Sequence, residues 1–166
     1  MLKEERILEI FSKTGVLTEG HFLLTSGRHS NRYLQCAQVL QYPNYTEELC
    51  SQIAEAYKNA AVDLVVGPAI GGVLLSYEVG RQLNARAIFA EREAGKMTLR
   101  RGFEIVPGQR VLIVEDVVTT GGSVKEVIDL VKQSGGTLVG VGLLVDRSGG
   151  KVDFGVLTYA LINLEI

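Results

Sequence analysis

Two adjacent carboxylates, Glu115 and Asp116, stand directly before the run Val117-Val118-Thr119-Thr120-Gly121-Gly122-Ser123. The two halves of this stretch suit different partners. Ionised carboxylates accept hydrogen bonds from hydroxyl groups. The run that follows supplies donors: successive backbone N–H groups and the hydroxyls of Thr119, Thr120 and Ser123. Glycine at 121 and 122 lets the backbone approach a ligand closely and adopt dihedrals that other residues avoid. A helix opening at the end of the run would add its dipole to the attraction for an anion. Acids this close to a phosphate nest repel the phosphate unless they face another part of the same ligand. A sugar phosphate meets both demands, with its phosphate on the amides and its hydroxyls on the acids. A carboxylate here could also hold magnesium, directly or through water.

Taken alone, Ser123 and Glu126 read as the two ends of a capping box. Taken whole, a plain strand, turn and capped helix leaves the paired acids without a role. The familiar phosphate loops are absent, since the chain has neither GxxxxGK[ST] nor GxGxxG after a strand.

Such a site needs rigid elements on either side. Residues 111–114 read as a strand delivering the acids, and Ser123 opens a helix running to about Gln133, closed by Gly135-Gly136. The same alternation surrounds it. Residues 62–66 form a β-branched run ending in Gly67-Pro68, residues 72–83 look helical, and residues 86–90 form a short strand. Residues 138–145 read as a buried strand, and residues 156–164 as another. Towards the N-terminus, Ile7, Leu8, Ile10 and Phe11 among charges predict an amphipathic helix over about 3–14, stopped by Gly15. Residues 16–42 are irregular and polar. Asn44 and Glu47 have capping-box spacing and predict a helix from there to about Asn59.

Apolar strands separated by amphipathic helices imply a parallel sheet covered on both faces. Ligands of such sheets bind at the carboxyl ends of strands. Three strand ends qualify: residues 67–72, 90–92 and 115–123. The turn at 67–72 is rich in Gly and small residues, so its amides could line a diphosphate, although a plain tight turn explains it equally well. Residues 90–104 carry Arg92, Lys96, Arg100 and Arg101 with Gly95 and Gly102. That composition describes a mobile lid, or, given Glu91, Glu93 and Glu104, a solvated loop of mixed charge.

Composition sets the outer bounds. A chain of 166 residues, 46% hydrophobic and 22% charged, fits one domain with a sizeable core. A net charge of −2 does not suggest a nucleic-acid partner. The two cysteines, Cys36 and Cys50, lack metal-site spacing and read as packed, reduced thiols. The apolar runs are too short to span a bilayer and no signal peptide opens the chain, so the sequence reads as cytoplasmic.

The stretch VLIVEDVVTTGGS (residues 111–123) resembles the phosphoribosyl diphosphate (PRPP) signature of type I phosphoribosyltransferases. Three further segments narrow the resemblance to the orotate phosphoribosyltransferases. GHFLLTSGRHSNRYLQCA (residues 20–37) is similar to their N-terminal segment, VVGPAIGGVLL (65–75) to their pyrophosphate loop, and LLVDRSGG (143–150) to a strand end carrying an Asp-Arg pair. The resemblance covers nearly the whole chain, in order. It implies an α/β fold of type I phosphoribosyltransferase form, a central, mostly parallel sheet flanked by helices. A single domain would span 1–166, with a small hood over about 15–42 and a mobile loop over about 91–104.

The implied reaction joins orotate to PRPP, giving orotidine 5′-monophosphate and pyrophosphate in pyrimidine (UMP) biosynthesis, with magnesium as cofactor. PRPP would be bound by Glu115, Asp116, Val117, Val118, Thr119, Thr120, Gly121, Gly122 and Ser123, by Ile70 and Gly71, and by Arg92 and Lys96. The acids would take the ribose hydroxyls. Lys96 and Arg92 would stabilise the leaving diphosphate, which with Asp116 makes them the expected catalytic residues. Orotate would meet Thr119 and Arg147, whose guanidinium suits a carboxylate, with Tyr33 and Leu34 beside the ring and Ser26, Gly27 and Arg28 shaping the pocket. Magnesium would be held mainly by PRPP and water, Asp116 being the one protein group in reach. The family also implies a homodimer with active sites shared between subunits, and neither a membrane nor a nucleic-acid partner.

This chain departs from the family pattern in its cations. Glu93 stands where many members have a second basic residue, Thr98 where many have a loop His, and Thr25 where a Lys is common. Ile70-Gly71 replaces a Tyr-Lys pair. Arg100, Arg101 and His29 are available to compensate. Two other readings stay open at this level. A purine phosphoribosyltransferase would share the signature but leave Ser26-Gly27-Arg28-His29-Ser30 unexplained. A PRPP-binding regulator of nucleic acid would fit the thinned cations but not the net charge.

Overall fold

The computed structural model describes residues 2–23 and 28–165. Helix α1 (Glu4–Thr14) buries Ile7, Ile10, Phe11 and Thr14, one face at helical spacing. Gly15 ends it in the left-handed region at φ 79°, a conformation glycine takes without steric cost. Strands β1 (Leu17–Leu23) and β2 (His29–Leu34) then pair antiparallel as a separate two-stranded sheet. The sequence reading left this hood segment irregular. It carries polar residues on both faces, so the alternation that marks a half-buried strand is missing. The hairpin is fixed at its base instead, where the Gln35 N–H donates to the carbonyl of the fully buried Val16.

A short helix α2 (Ala37–Leu40) leads into α3 (Pro43–Tyr57). Here the expected capping box is corrected. Tyr42 is the N-cap, no side chain caps the helix, and Pro43 occupies its first turn. Proline suits that position because its fixed φ is helical and its missing N–H is not needed there.

The remaining elements alternate: β3 (Leu64–Pro68), α4 (Gly71–Leu83), β4 (Arg86–Glu93), β5 (Lys96–Thr98), β6 (Arg110–Val118), α5 (Gly122–Gln133), β7 (Thr137–Asp146) and β8 (Thr158–Asn163). They build a six-stranded sheet in the order β5-β4-β3-β6-β7-β8. Every neighbouring pair is parallel except β4 and β5, which form a hairpin. Residues 91–98, read from sequence as part of a charged loop without period, thus extend one strand and add another.

The sheet is buried on both faces. Val65, Leu112 and Val114 point into a core shared with α1, α2, α3 and α4, while Leu64, Val66, Val111 and Ile113 point into a core shared with α5. That is why these strands read as continuous apolar runs. Helix α3 lies directly on β7. A Cβ at Gly140 would come 2.2 Å from the Tyr57 ring, and one at Gly142 would come 2.6 Å from Ile53. Both cysteines are buried free thiols. Among the described residues, no helix is long and apolar enough to cross a membrane.

Candidate active site

Strand β6 runs four residues beyond the stretch expected from sequence and carries both acids within it. Glu115, Val117 and Val118 keep their pairing with Leu143, Val145 and Asp146 of β7. Each acid is held by the amide that follows it. The Asp116 N–H donates to Glu115 Oε1 at 3.1 Å, and the Val117 N–H donates to Asp116 Oδ1 at 2.8 Å. Glu115 is buried, and its pKa lies well above the ordinary carboxylate range, first because burial penalises its charge and then because Asp116 repels it. Of the two acids, Asp116 is the one more open to a ligand.

The turn after β3 meets Asp116 across the sheet. A Cβ at Gly71 would lie 2.6 Å from the Asp116 carboxyl atoms, so this glycine lets the α4 N-terminus and the acid touch. The turn itself folds tightly, since a Cβ at Gly67 would lie 2.1 Å from the Gly72 carbonyl oxygen. Its Ala69–Ile70 peptide is cis, and the Ala69 N–H donates to the Ala90 carbonyl at 2.6 Å. Strand ends β3, β4 and β6 therefore converge, and these three are the ones that qualify from the sequence as ligand-binding ends.

Beyond Asp116 the backbone encloses a cleft of about 150 Å³ lined by Glu115 and residues 117–124. Helix α5 begins here with Gly121 as its N-cap, in the left-handed region at φ 80°. A Cβ at Gly121 would strike Val152 at 2.8 Å and Phe154 at 3.0 Å, two residues of the connection after β7. The Gly121 carbonyl accepts the first helical bond from Lys125, so the amides of 122–124 are not used within the helix. Among the described residues, only the Gly122 N–H of these three has a local acceptor, Thr120 Oγ1 at 3.4 Å. Amides, a helix N-terminus and three hydroxyls fit a phosphate group.

The capping box expected at Ser123 and Glu126 is a second correction, because α5 has no side-chain cap. Both side chains face the β4–β5 hairpin. Arg92 Nη1 donates to Glu126 Oε2 at 2.6 Å, and Arg92 Nη2 donates to Ser123 Oγ at 3.3 Å. Sequence spacing could not find this contact, since its partners lie more than thirty residues apart. Lys96 lies along α5, in a hollow it shares with Met97, Glu126 and Asp129. Arg100 and Arg101 both engage Glu91, and Arg100 also engages Glu93. His29 meets His21, with ring nitrogens 2.8 Å apart.

The pairing of Val118 with Asp146 sets Thr119 and Arg147 side by side, and the Arg147 N–H donates to the Val118 carbonyl at 2.8 Å. Among the described residues, Arg147 Nε is buried without a hydrogen-bond partner. A buried donor left unpaired is costly, and a planar carboxylate would supply the missing acceptor. Tyr33 and Leu34 end β2, just before Cys36. Burial pushes the Cys36 thiol up, followed by the charge of Asp116, while Arg147 pulls it down. The end of the hood thus reaches the same centre. Arg28 is exposed, and Ser26 and Gly27 lie outside the described residues.

The donor set bears on magnesium too. Among the described residues no group of three or more His, Cys, Asp or Glu could hold a metal ion. Asp116 offers a single carboxylate beside the Gly71 backbone, which fits an ion brought in by a phosphorylated ligand and its water.

A family model described as phosphoribosyl transferase domain matches residues 37–154. The chain is 58% identical over 165 residues to an orotate phosphoribosyltransferase of Desulforamulus reducens, covering 99% of this chain and 86% of that protein. It is 59% identical over 165 residues to an orotate phosphoribosyltransferase of Caldanaerobacter subterraneus subsp. tengcongensis, covering 99% and 87%. Among solved structures, it resembles orotate phosphoribosyltransferase from Aeropyrum pernix with a TM-score of 0.78 at 25% identity, covering 95% of this chain and 93% of that one.

Proposed function

This chain belongs to the orotate phosphoribosyltransferases of the phosphoribosyl transferase domain family, and from that premise we propose that it makes orotidine 5′-monophosphate and pyrophosphate from orotate and PRPP. The reaction is a step of pyrimidine (UMP) biosynthesis. The observation that carries the reading is the convergence of three features at the carboxyl ends of the central strands. A phosphate cleft of 117–124 follows Asp116, the Gly67-to-Gly72 turn meets it from β3, and just past the end of β7 stands Arg147, whose Nε is buried and, among the described residues, unpaired.

These positions divide the substrates among the residues. The 5′-phosphate lies on the amides of 122–124 with Thr119, Thr120 and Ser123. Asp116 and Glu115 take the ribose hydroxyls. The diphosphate faces Ile70 and Gly71, and Arg147 with Thr119 orients orotate through its carboxylate. A ring nitrogen of orotate gives up its proton to water and forms a bond to the anomeric carbon as that carbon's bond to the diphosphate oxygen breaks and the diphosphate leaves. No covalent enzyme intermediate is needed, so the protein's work is positioning and charge placement. Magnesium, when bound, neutralises diphosphate charge, and Asp116 is the residue that would reach it directly or through water. Lys96 and Arg92 supply the loop cations. The enzyme acts in the cytoplasm as a homodimer with shared sites.

The test follows orotate absorbance with PRPP and magnesium, with hypoxanthine, adenine and uracil assayed in parallel. Loss of orotate alone, dependent on PRPP, is the expected result. Turnover of a purine in its place would move the base pocket to another activity, and PRPP binding without turnover of any base would make the protein a sensor.

A further inference from the structure

The connection from β7 to β8, residues 147–157, is tied down at both ends. At its start the Ser148 N–H donates to Asp146 Oδ1 at 2.8 Å. At its end the Leu157 carbonyl accepts the Val141 N–H at 3.0 Å, with the Tyr57 hydroxyl 2.8 Å away. Between these ties, Val152, Phe154 and Val156 pack on the core shared with α5. The Gly155 N–H donates to Asp153 Oδ1 at 2.8 Å and so fixes the chain on either side of Phe154.

Two of these side chains have a second contact. Thr119, Thr120 and Gly122 are exposed, yet Gly121 among them is buried. Its cover is an apolar pad. At the Cβ position of Gly121 the nearest atoms are Val152 Cγ1 at 2.8 Å and Phe154 Cε1 and Cζ at 3.0 and 3.1 Å. Gly121 is in the wall of the phosphate cleft and the pad is not, so the pad reaches the cleft only through that glycine. Two adjacent glycines give this loop wide backbone freedom. The Gly122 N–H makes a long bond, 3.4 Å to Thr120 Oγ1, which restrains it little. Amides grip a phosphate only when they point at it together. Gly121, at φ 80°, is where the chain turns into α5, so its dihedrals aim the amides of 122–124.

We propose that Phe154, with Val152, is a positioning residue for the reaction: packed against Gly121, it holds the loop in the left-handed turn that presents the amides of 122–124 to the 5′-phosphate. The inference rests on the reading that this cleft takes the 5′-phosphate of PRPP. Neither side chain touches the ligand. What they supply is order in advance, because a phosphate that meets a fixed loop does not have to immobilise it. The pad can do this because its own connection is anchored at both ends and its side chains are seated on the core.

Calorimetric titration with ribose 5-phosphate and, separately, with pyrophosphate, both with magnesium, tests the pad at a temperature where circular dichroism shows each variant folded. Phe154→Ala should weaken ribose 5-phosphate roughly tenfold, the size of ordering one residue's backbone. Pyrophosphate affinity should stay at the wild-type value, and KM for PRPP should rise while KM for orotate holds. Should Phe154→Ala not fold, Val152→Ala removes the atom 2.8 Å from the same position and reads the same contact. Val156→Ala separates positioning from general support. Val156 packs on the same core from the same connection but is not among the atoms nearest Gly121, so its loss should lower the melting temperature and leave ribose 5-phosphate affinity unchanged. Unchanged ribose 5-phosphate affinity in the folded pad variant would overturn the inference. So would an equal loss in Val156→Ala, or an equal loss of pyrophosphate affinity. A wild type that does not bind ribose 5-phosphate would sink the reading of the cleft and the inference with it. A wild type that binds it through the pad but consumes no orotate would sink the proposed reaction alone.

Discussion

At the scale of single residues, the site depends on what surrounds each charge. Asp116 and Glu115 are neighbours in sequence but differ in state, because Glu115 is buried and Asp116 is only half so. Burial penalises an anion unless partners compensate, and Glu115 has one backbone N–H while also facing the charge of Asp116. Asp116 is therefore the acid to test. Asp116→Asn keeps the shape and one acceptor oxygen but removes the charge. Steady-state kinetics should show turnover falling roughly 100–1,000-fold, with KM for PRPP raised and KM for orotate little changed. Unaltered PRPP kinetics would remove Asp116 from the ribose site. Gly71 gives the complementary test from the opposite wall. A Cβ there meets the Asp116 carboxyl at 2.6 Å, a side chain that can swing away. Gly71→Ala should therefore fold normally, with a melting curve like wild type, yet lose roughly 100-fold in kcat/KM for PRPP through the displaced acid.

Elements set these residues against one another. Strand β6 carries the acids near its carboxyl end at the centre of the sheet, α5 opens the phosphate cleft, and the β4–β5 hairpin leans onto α5 through Arg92. The opposite support is α3, which presses on β7 where glycine replaces side chains. Tyr57 of α3 lies in the space that Gly140 leaves, and its hydroxyl sits 2.8 Å from both the Val141 and Leu157 carbonyls. Those contacts join the helix, β7 and the connection into β8. Tyr57→Phe should lower unfolding free energy by about 1–3 kcal/mol in denaturant melts, because the single hydroxyl proton shared by these carbonyls is lost and the buried Val141 carbonyl is left without this donor. Burial also pushes the Tyr57 phenol up to about 12, against roughly 10 in an unfolded chain. A pKa raised on folding means stability present in full below pH 10 and lost as pH rises through about 12. The wild type's advantage over the variant should therefore be constant up to about pH 9 and shrink above it. An advantage that grows with pH would contradict the burial argument.

For the whole molecule, the proposed homodimer requires a surface to pair through. Most apolar side chains are buried in the two cores flanking the sheet, but one face of α4 is left uncovered. Ile70, Leu74 and Tyr77 are 89%, 51% and 71% exposed, at the i, i+4, i+7 spacing of one helix face. A contiguous apolar stripe of this kind marks an interaction surface, and it starts at Ile70 in the expected pyrophosphate turn. A homodimer built on it would place each subunit's turn near its partner. Leu74→Glu combined with Tyr77→Glu should convert the sedimenting species to a monomer while leaving the far-ultraviolet circular dichroism unchanged. A dimer that survives both charges would place the interface elsewhere.

Residue type and spacing alone were enough for the parts whose signal is local. The acids, the Gly121-Gly122 loop and the alternation of strand and helix were all legible, because residue type and period state them directly. So was the direction of the site, since parallel strands present ligands at their carboxyl ends. Packing between distant residues set the rest. The hood hairpin has no hydrophobic alternation and is fixed at its base by Val16 and Gln35. The charged stretch after Ala90 becomes a hairpin because Ala94 and Gly95 turn it back onto β4. Ser123 and Glu126 have the spacing of a cap, yet they face Arg92, since a cation brought across by the sheet competes for the same oxygens. Local spacing names the groups able to bond, but only the packed chain brings a distant competitor within 3 Å and settles which bond forms.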